Sequence, residues 1–121
     1  MQTRRTVVLA DAKEDLNTVT GRMEWVVKSG SVLIAEFAPL GLQTYFTAGG
    51  ATNIFREKIA VRTATFNREP YIYSDGKLYE FVTYQPYVMR GGSNSDMIWL
   101  IVNEIVNRDI IAAIEKWRDE Q

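Results

Sequence analysis

The alternation of apolar and polar positions predicts a mainly β chain that ends in a helix. Short stretches rich in Val, Ile, Tyr and Phe, bounded by polar or glycine-containing segments, are typical of strands. The predicted strands are residues 6–10, 22–28, 32–38, 58–66, 71–73 and 77–84, with a closing strand from 97 to about 103. A helix is predicted from about 107 to 119, where Ile110, Ala113 and Trp117 recur at helical spacing. Because Trp99 and Val106 extend that stripe, residues 97–106 also fit a helix.

Four segments between these strands are predicted to be turns or loops. Asp75-Gly76 between two apolar runs predicts a tight hairpin. Ser29-Gly30-Ser31 has the composition of a turn that closes a hairpin. Residues 11–21 are polar and predict a surface connection with room for one helical turn, and residues 86–95 predict a second loop.

The longest gap between predicted strands lies at residues 39–57. The stretch before it, residues 32–38, is nearly continuously apolar, which is typical of a central strand covered on both faces. Pro39 ends that strand because proline has no amide donor. Connections in compact domains are mostly ~4–6 residues long, so a gap of this length predicts a functional or disordered loop. Its glycines and aromatic residues indicate a segment that orders against a partner or folds back onto its own sheet.

Composition and charge narrow the class of protein. With 121 residues, 46% hydrophobic and 24% charged, the chain resembles one ordinary globular domain, predicted to span residues 1–121. The formal net charge of −1 argues against a general nucleic-acid coat or a membrane-surface protein, since both need an excess of cations. The longest apolar run, residues 97–102, is far shorter than the ~20 residues of a membrane span. We therefore expect a soluble protein.

The residue types present leave little room for catalysis. The sequence contains no cysteine and no histidine, which excludes disulfides, thiolate nucleophiles, Cys/His zinc sites and Ser-His-Asp triads. Glu57, Glu69 and Glu80 lie near predicted strands, but their spacing does not predict that they converge. Glu14 and Asp15 lack the spacing of a calcium loop. We expect a protein that is not an enzyme and needs no cofactor or metal.

One strand carries a candidate binding face. Ile59 and Val61 alternate with Arg56, Lys58 and Arg62, so the three cations are predicted to share the opposite face. Such a face can contact a nucleic-acid backbone or an acidic protein surface, or it can simply be solvated. The pattern leaves these alternatives open.

An ordered series of short motifs runs through most of the chain. It consists of Val7-Val8-Leu9, Gly21 with Trp25, Val32-Leu33-Ile34-Ala35-Glu36, Pro39-Leu40-Gly41 leading into Tyr45-Phe46-Thr47-Ala48, Ile59-Ala60-Val61-Arg62, and Asp75-Gly76-Lys77-Leu78-Tyr79-Glu80-Phe81. In order and spacing, this series resembles the bacteriophage head–tail joining family, also called head-closure, adaptor or stopper proteins. The chain departs from the family pattern at Leu33, where a Trp is usual, at Gln43, near a usual Glu, and in its longer C-terminal helix.

The resemblance implies a small antiparallel β-barrel, at about residues 6–104, that assembles as a homo-oligomeric ring beneath the portal. Such a ring closes the DNA-filled head and docks the tail, so the implied partners are portal or adaptor rings, tail proteins and packaged DNA. The implied location is the virion, at the head–tail interface, after assembly in the bacterial cytoplasm. The loop at 39–57 would line or plug the channel. Its candidate lumen and assembly residues are Gln43, Tyr45, Phe46, Gly49, Gly50, Asn53 and Phe55.

Two other functions fit the same pattern. A tail-terminator or neck protein would also assemble as a ring, and the C-terminal helix suits this function somewhat better. A free-standing barrel that binds single-stranded nucleic acid would use the Arg56, Lys58 and Arg62 face. Tyrosines such as Tyr71, Tyr73 and Tyr79 would be its stacking platforms. The near-neutral charge weighs against that second alternative.

Overall fold

The computed structural model describes residues 3–39, 56–89 and 92–121. Its elements are β1 (Thr3–Asn17), β2 (Arg22–Pro39), β3 (Arg56–Arg62), β4 (Tyr71–Ser74), β5 (Lys77–Met89), β6 (Gly92–Ile105) and the helix α1 (Arg108–Asp119). Every strand pair is antiparallel. The prediction of a mainly antiparallel β chain with a C-terminal helix is therefore confirmed.

The six strands form one sheet in the order β1-β2-β3-β6-β5-β4. Strand β4 pairs with β1, so the sheet closes on itself. This closing ladder is short and runs from Val8↔Tyr73 to Ala10↔Tyr71. The longest ladder joins β1 to β2.

Alternation along the strands produces two apolar clusters, one inside the closed sheet and one under the helix. The interior cluster consists of Val7, Leu9, Ala35, Phe37, Ile59, Val61, Ile72, Tyr79, Leu100 and Val102. The helix cluster consists of Val8, Ala10, Ala12, Tyr73, Leu78, Ile110 and Ile114, with Trp25, Val27 and Trp117 packed against it. Strand β1 supplies both clusters because successive side chains point to opposite faces of a strand.

The helix begins where its sequence provides a cap. The Asn107 side chain accepts hydrogen bonds from the backbone N–H groups of Asp109 and Ile110, at 3.1 and 3.2 Å. These bonds satisfy amide groups that the first helical turn leaves without partners. Ile110 and Ile114 lie one turn apart and are buried on the sheet. Strand β6 continues to Ile105, so residues 97–105 are strand, and the predicted helix at about 107–119 is confirmed.

The segment Ser29-Gly30-Ser31 is not the predicted turn but lies within β2. An ideal Cβ at Gly30 would lie 2.7 Å from the Leu9 carbonyl oxygen and 3.1 Å from Cη2 of Trp117. The glycine therefore allows two close approaches, because any side chain here would collide with the β1 backbone at Leu9 and with the Trp117 ring.

The polar residues 11–17 are not a surface connection but belong to β1. Beyond Ala12, β1 pairs with β2 alone among the described strands, and a two-stranded ribbon tolerates polar side chains along its length. The chain reverses over residues 18–21, where Gly21 has φ 72°. The Asn17 side-chain oxygen accepts hydrogen bonds from the N–H groups of Val19 and Thr20.

The prediction of a loop at residues 86–95 is also wrong, because β5 runs to Met89 and β6 starts at Gly92. Pro86 is accommodated because the β5–β6 register shifts between Pro86 and Tyr87. The predicted strand 58–66 ends at Arg62.

Residues 32–38 are not covered on both faces, since Val32 and Ile34 are exposed while Ala35 and Phe37 are buried. An apolar run therefore contributes to the core on one side and to the molecular surface on the other.

The hairpin at Asp75-Gly76 is confirmed. Both residues have positive φ, 51° and 80°, as the central positions of a type I′ turn require. The predicted long loop at 39–57 is shorter at its ends, because Pro39 lies in β2 and Glu57 in β3. Residues 40–55 lie outside the described residues.

We expect Gly30→Ala to lower the free energy of unfolding by about 2 kcal/mol, because the added methyl group must displace Trp117 or strand β1. Urea unfolding followed by tryptophan fluorescence measures the change. Ser31→Ala, at the next position in β2, is the matched control and should be within ~0.5 kcal/mol of wild type. Equal stability of the two variants would contradict this account of Gly30.

Candidate functional site

The predicted basic face of β3 is only partly available for binding a partner. Ile59 and Val61 are buried in the interior, as predicted, and Arg62 is exposed. The Lys58 Nζ lies 4.8 Å from the centre of the Trp99 ring, a cation–π distance. The Arg56 side chain lies outside the described residues. The ammonium group of Lys58 is therefore already engaged by an aromatic face of its own chain.

The Lys58–Trp99 contact belongs to a network that crosses the outer surface of the sheet. The Trp99 ring stacks on Tyr87, with centroids 5.1 Å apart and 18° between the planes. Tyr87 Oη donates a hydrogen bond to Glu36 Oε2 at 3.2 Å, and Arg4 Nη2 lies 3.8 Å from Glu36 Oε1. Burial, followed by the Glu36 charge, raises the pKa of Tyr87. We call this chain of contacts the cross-strand network.

A small residue makes the network possible. Ala60 is paired directly with Glu36 on one side and with Trp99 on the other. It has no exposed surface, because the link between Tyr87 and Glu36 passes over it. A larger side chain at this position would separate the tyrosine from the carboxylate.

A groove of about 380 Å³ opens beside the network. The β2–β3 ladder runs only from Glu36↔Ala60 to Pro39↔Glu57, so the two strands diverge beyond it. Ile34, which is 70% exposed, lies on one wall. The groove is lined by Arg4, Ile34, Ala35, Glu36, Ala60, Arg62, Tyr87 and Met97. We call this surface the groove.

The β1–β2 hairpin extends past the rest of the sheet as a two-stranded arm, residues 12–27. Leu16 and Met23 are directly opposite each other near its end and are 60% and 57% exposed. Val19, in the connecting turn, is 92% exposed. At the base of the arm, Trp25 packs edge-on against Tyr71 with ring centroids 6.1 Å apart. A patch of apolar side chains on a projecting ribbon is typical of a protein–protein contact.

Sequence reasoning missed both the arm and the groove. The polar residues 11–17 concealed the arm, although Leu16, Val19 and Met23 are isolated apolar residues in a polar segment and were a usable signal. The groove had no local signal, because its walls come from five strands.

Among the described residues, Tyr79 has a buried hydroxyl without a hydrogen-bond partner. Its hydroxyl is fully buried in the interior cluster and finds no hydrogen-bond partner in the described part of the chain. Burial, and then the charge of Glu57, raise the pKa of this hydroxyl, while Arg5 opposes the rise. The Glu57 carboxylate is close enough to interact with the hydroxyl but does not have hydrogen-bond geometry to it. Burial leaves no ring face for a base to stack on. The stacking role considered for Tyr79 therefore does not fit its position.

The three glutamates considered for acid–base chemistry have separate environments. Glu57 is half-buried near Tyr79, and Glu80 is exposed on β5. Glu69 is buried and accepts a hydrogen bond from its neighbour, the Asn67 N–H, at 2.5 Å. Asp15, on the arm, forms an ion pair with Lys28. Within residues 3–39, 56–89 and 92–121, no group of three or more acidic side chains has the arrangement of a metal site.

The seven candidate lumen residues, Gln43, Tyr45, Phe46, Gly49, Gly50, Asn53 and Phe55, lie outside the described residues. Their assignment stays a prediction from the sequence. What the structure adds is the position of their flanking residues, because Pro39 and Arg56 lie at the ends of the β2–β3 region.

We expect Tyr79→Phe to leave the free energy of unfolding unchanged or to raise it by ~1 kcal/mol, because it removes a buried hydroxyl that has no partner. Urea unfolding at pH 7 measures this. A loss of more than ~1 kcal/mol would mean that the hydroxyl makes a bond that the fold needs.

The same substitution should change the response to alkali. Unfolded tyrosine loses its proton near pH 10, and folded Tyr79 has a higher pKa. Above pH 10 the unfolded state therefore binds fewer protons than the folded state. The free energy of unfolding is highest below pH 10 and falls as the pH rises towards the folded pKa of Tyr79. Tyr79→Phe should lose less stability than wild type between pH 9 and about 11. Tyr84→Phe, at an exposed tyrosine, is the control and should follow wild type if the effect belongs to Tyr79.

Two further observations concern membrane-spanning helices and similarity to known proteins. In the described residues, no helix has the length and apolarity that crossing a membrane requires. No family model matches the sequence, and no curated protein matches it.

Proposed function

We propose that the chain is a structural virion protein of a tailed phage or prophage and not an enzyme. It forms a homo-oligomeric ring at the head–tail junction, closes the DNA-filled head and docks the tail. Its partners are the portal or adaptor ring on one side and tail proteins on the other. Contact with packaged DNA is part of the proposal.

One observation carries this proposal: the subunit has two separate surfaces at which large apolar side chains face solvent. Met23 on the arm and Ile34 at the groove lie in the same strand, roughly 35 Å apart at ~3.3 Å per residue. A subunit with two different contact surfaces associates head to tail, and such association closes into a ring when the rotation between copies allows it.

The fold is in keeping with the family that the sequence resembles. A closed sheet of six antiparallel strands fits the small barrel that the resemblance implies. The family-like motifs fall on its central elements, with Ile59-Ala60-Val61-Arg62 in β3 and Asp75-Gly76 at the β4–β5 turn. In the proposed ring, residues 40–55 reach the channel from between β2 and β3, and the β3 cations contact a neighbouring subunit or the DNA path.

Deleting the gene from its source phage or prophage tests the function. We expect tailless heads that have lost their DNA, because an unclosed head cannot retain packaged DNA or dock a tail. Electron microscopy of the lysate provides the measurement. Supplying the wild-type gene on a plasmid is the control and should restore complete particles.

Two other outcomes have definite meanings. Full heads with unattached or wrongly sized tails would replace head closure by the tail-terminator or neck function. Normal infectious particles without the gene would contradict a role at the head–tail junction altogether.

A further inference from the structure

We propose that the end of the arm of one copy inserts into the groove of the next copy. The contact is heterologous, since the arm and the groove are different surfaces of the same chain. The inference rests on the proposed ring and specifies which surfaces hold neighbouring subunits together.

Shape favours this pairing. The arm ends in a narrow turn whose most prominent side chain is Val19, and Leu16 and Met23 flank it on the two strands. The groove, at about 380 Å³, has room for several side chains. Its apolar wall includes Ile34, which is 70% exposed. The projecting apolar end is therefore matched to the Ile34 wall of the groove, whose lining is part apolar and part polar.

Charge favours the pairing as well. The groove is lined by two arginines and one glutamate, so its lining carries a net positive charge. Both arginines are exposed, although Arg4 lies 3.8 Å from Glu36. The arm has three acidic and two basic residues, and one of the acidic residues, Asp15, is paired with Lys28 just beyond residue 27. Glu14 lies on the same face as Leu16, so a carboxylate accompanies the apolar end. A carboxylate beside the apolar end and a net positive groove lining are complementary, so they favour this orientation of neighbouring copies.

The two surfaces cannot meet within one chain. They are roughly 35 Å apart along β2 at ~3.3 Å per residue. The arm is held at its base, where Trp25 packs on Tyr71 and Trp117 packs on Gly30. An arm fixed in this way can fill the groove only of another copy.

The absence of cysteine from the chain allows a clean cross-linking test. The full-length double variant Val19→Cys/Ile34→Cys is purified and treated with a short bis-maleimide. We expect a ladder of covalent multimers, because each copy links to one neighbour through the arm and to another through the groove. The single variants, mixed in equal amounts, should stop at the heterodimer, and each alone should stay mostly monomeric.

A matched control uses an exposed apolar residue outside both surfaces. Val106 is 84% exposed and lies between β6 and α1. Val106→Cys/Ile34→Cys should give less than a tenth of the multimers that the test variant gives. Equal yields from the two double variants would overturn the proposal, and so would the absence of any Val19–Ile34 link. Efficient dimers from Val19→Cys alone would also overturn it, because they would indicate an isologous contact between arms.

An equilibrium measurement tests the same contact without cross-linker. Sedimentation of Val19→Asp should show at least a tenfold weaker association than wild type, whereas Val106→Asp should match wild type. Equal weakening by both variants, or by neither, would overturn the proposal.

The outcomes separate this contact from the function on which it rests. Rings of wild-type protein seen by electron microscopy without a Val19–Ile34 link would remove the arm–groove contact and leave the head–tail ring standing. If the Val19–Ile34 link forms but particles are normal after gene deletion, the arm–groove contact is supported and the head–tail function is rejected.

Discussion

Strand β1 pairs with β4 over Val8, Leu9 and Ala10, and this short ladder is where the sheet closes on itself. The same residues also supply both apolar clusters, because Leu9 points into the interior while Val8 and Ala10 lie under the helix. Closing the sheet, filling its interior and seating the helix are therefore one constraint. A change that separates β1 from β4 disturbs all three at once.

The helix stabilises this junction from outside. Tyr73 pairs with Val8 in the closing ladder, and its hydroxyl donates a hydrogen bond to Glu115 of α1 at 2.8 Å. Burial, then the bond to Glu115, raise the pKa of Tyr73, so the neutral hydroxyl is favoured in this contact. Trp117 reaches the adjacent strand at Gly30. The helix thus fastens β4, β1 and β2 together, and this also fixes the base of the arm.

Both surfaces used in the proposed ring arise because β2 is longer than the strands that pair with it. At one end β2 and β1 continue as the arm, and further along β2 diverges from β3 beside Ile34. The cross-strand network stabilises the wall of the groove through Tyr87 and Glu36. A closed sheet with one overlong hairpin therefore presents a projection and a recess on the same subunit.

Local rules explain which features could be predicted from the sequence. The Asp75-Gly76 turn and the helix after Asn107 depend on neighbouring residues, through positive φ angles in one case and a side-chain cap in the other. Burial of Ile59 and Val61 follows from alternation within one strand. The sequence by itself thus determined the mainly β class, the C-terminal helix and the central hairpin.

Other features depended on residues far apart in the chain. Gly30 resembles a turn residue until Trp117 is placed against it, and Lys58 resembles a free cation until Trp99 is beneath it. The polar residues 11–17 become strand because β2 pairs with them, although their own composition favours a loop. Only the tertiary structure decided the arm, the groove and the helix seat, because each arises from packing between segments whose sequences carry no information about one another.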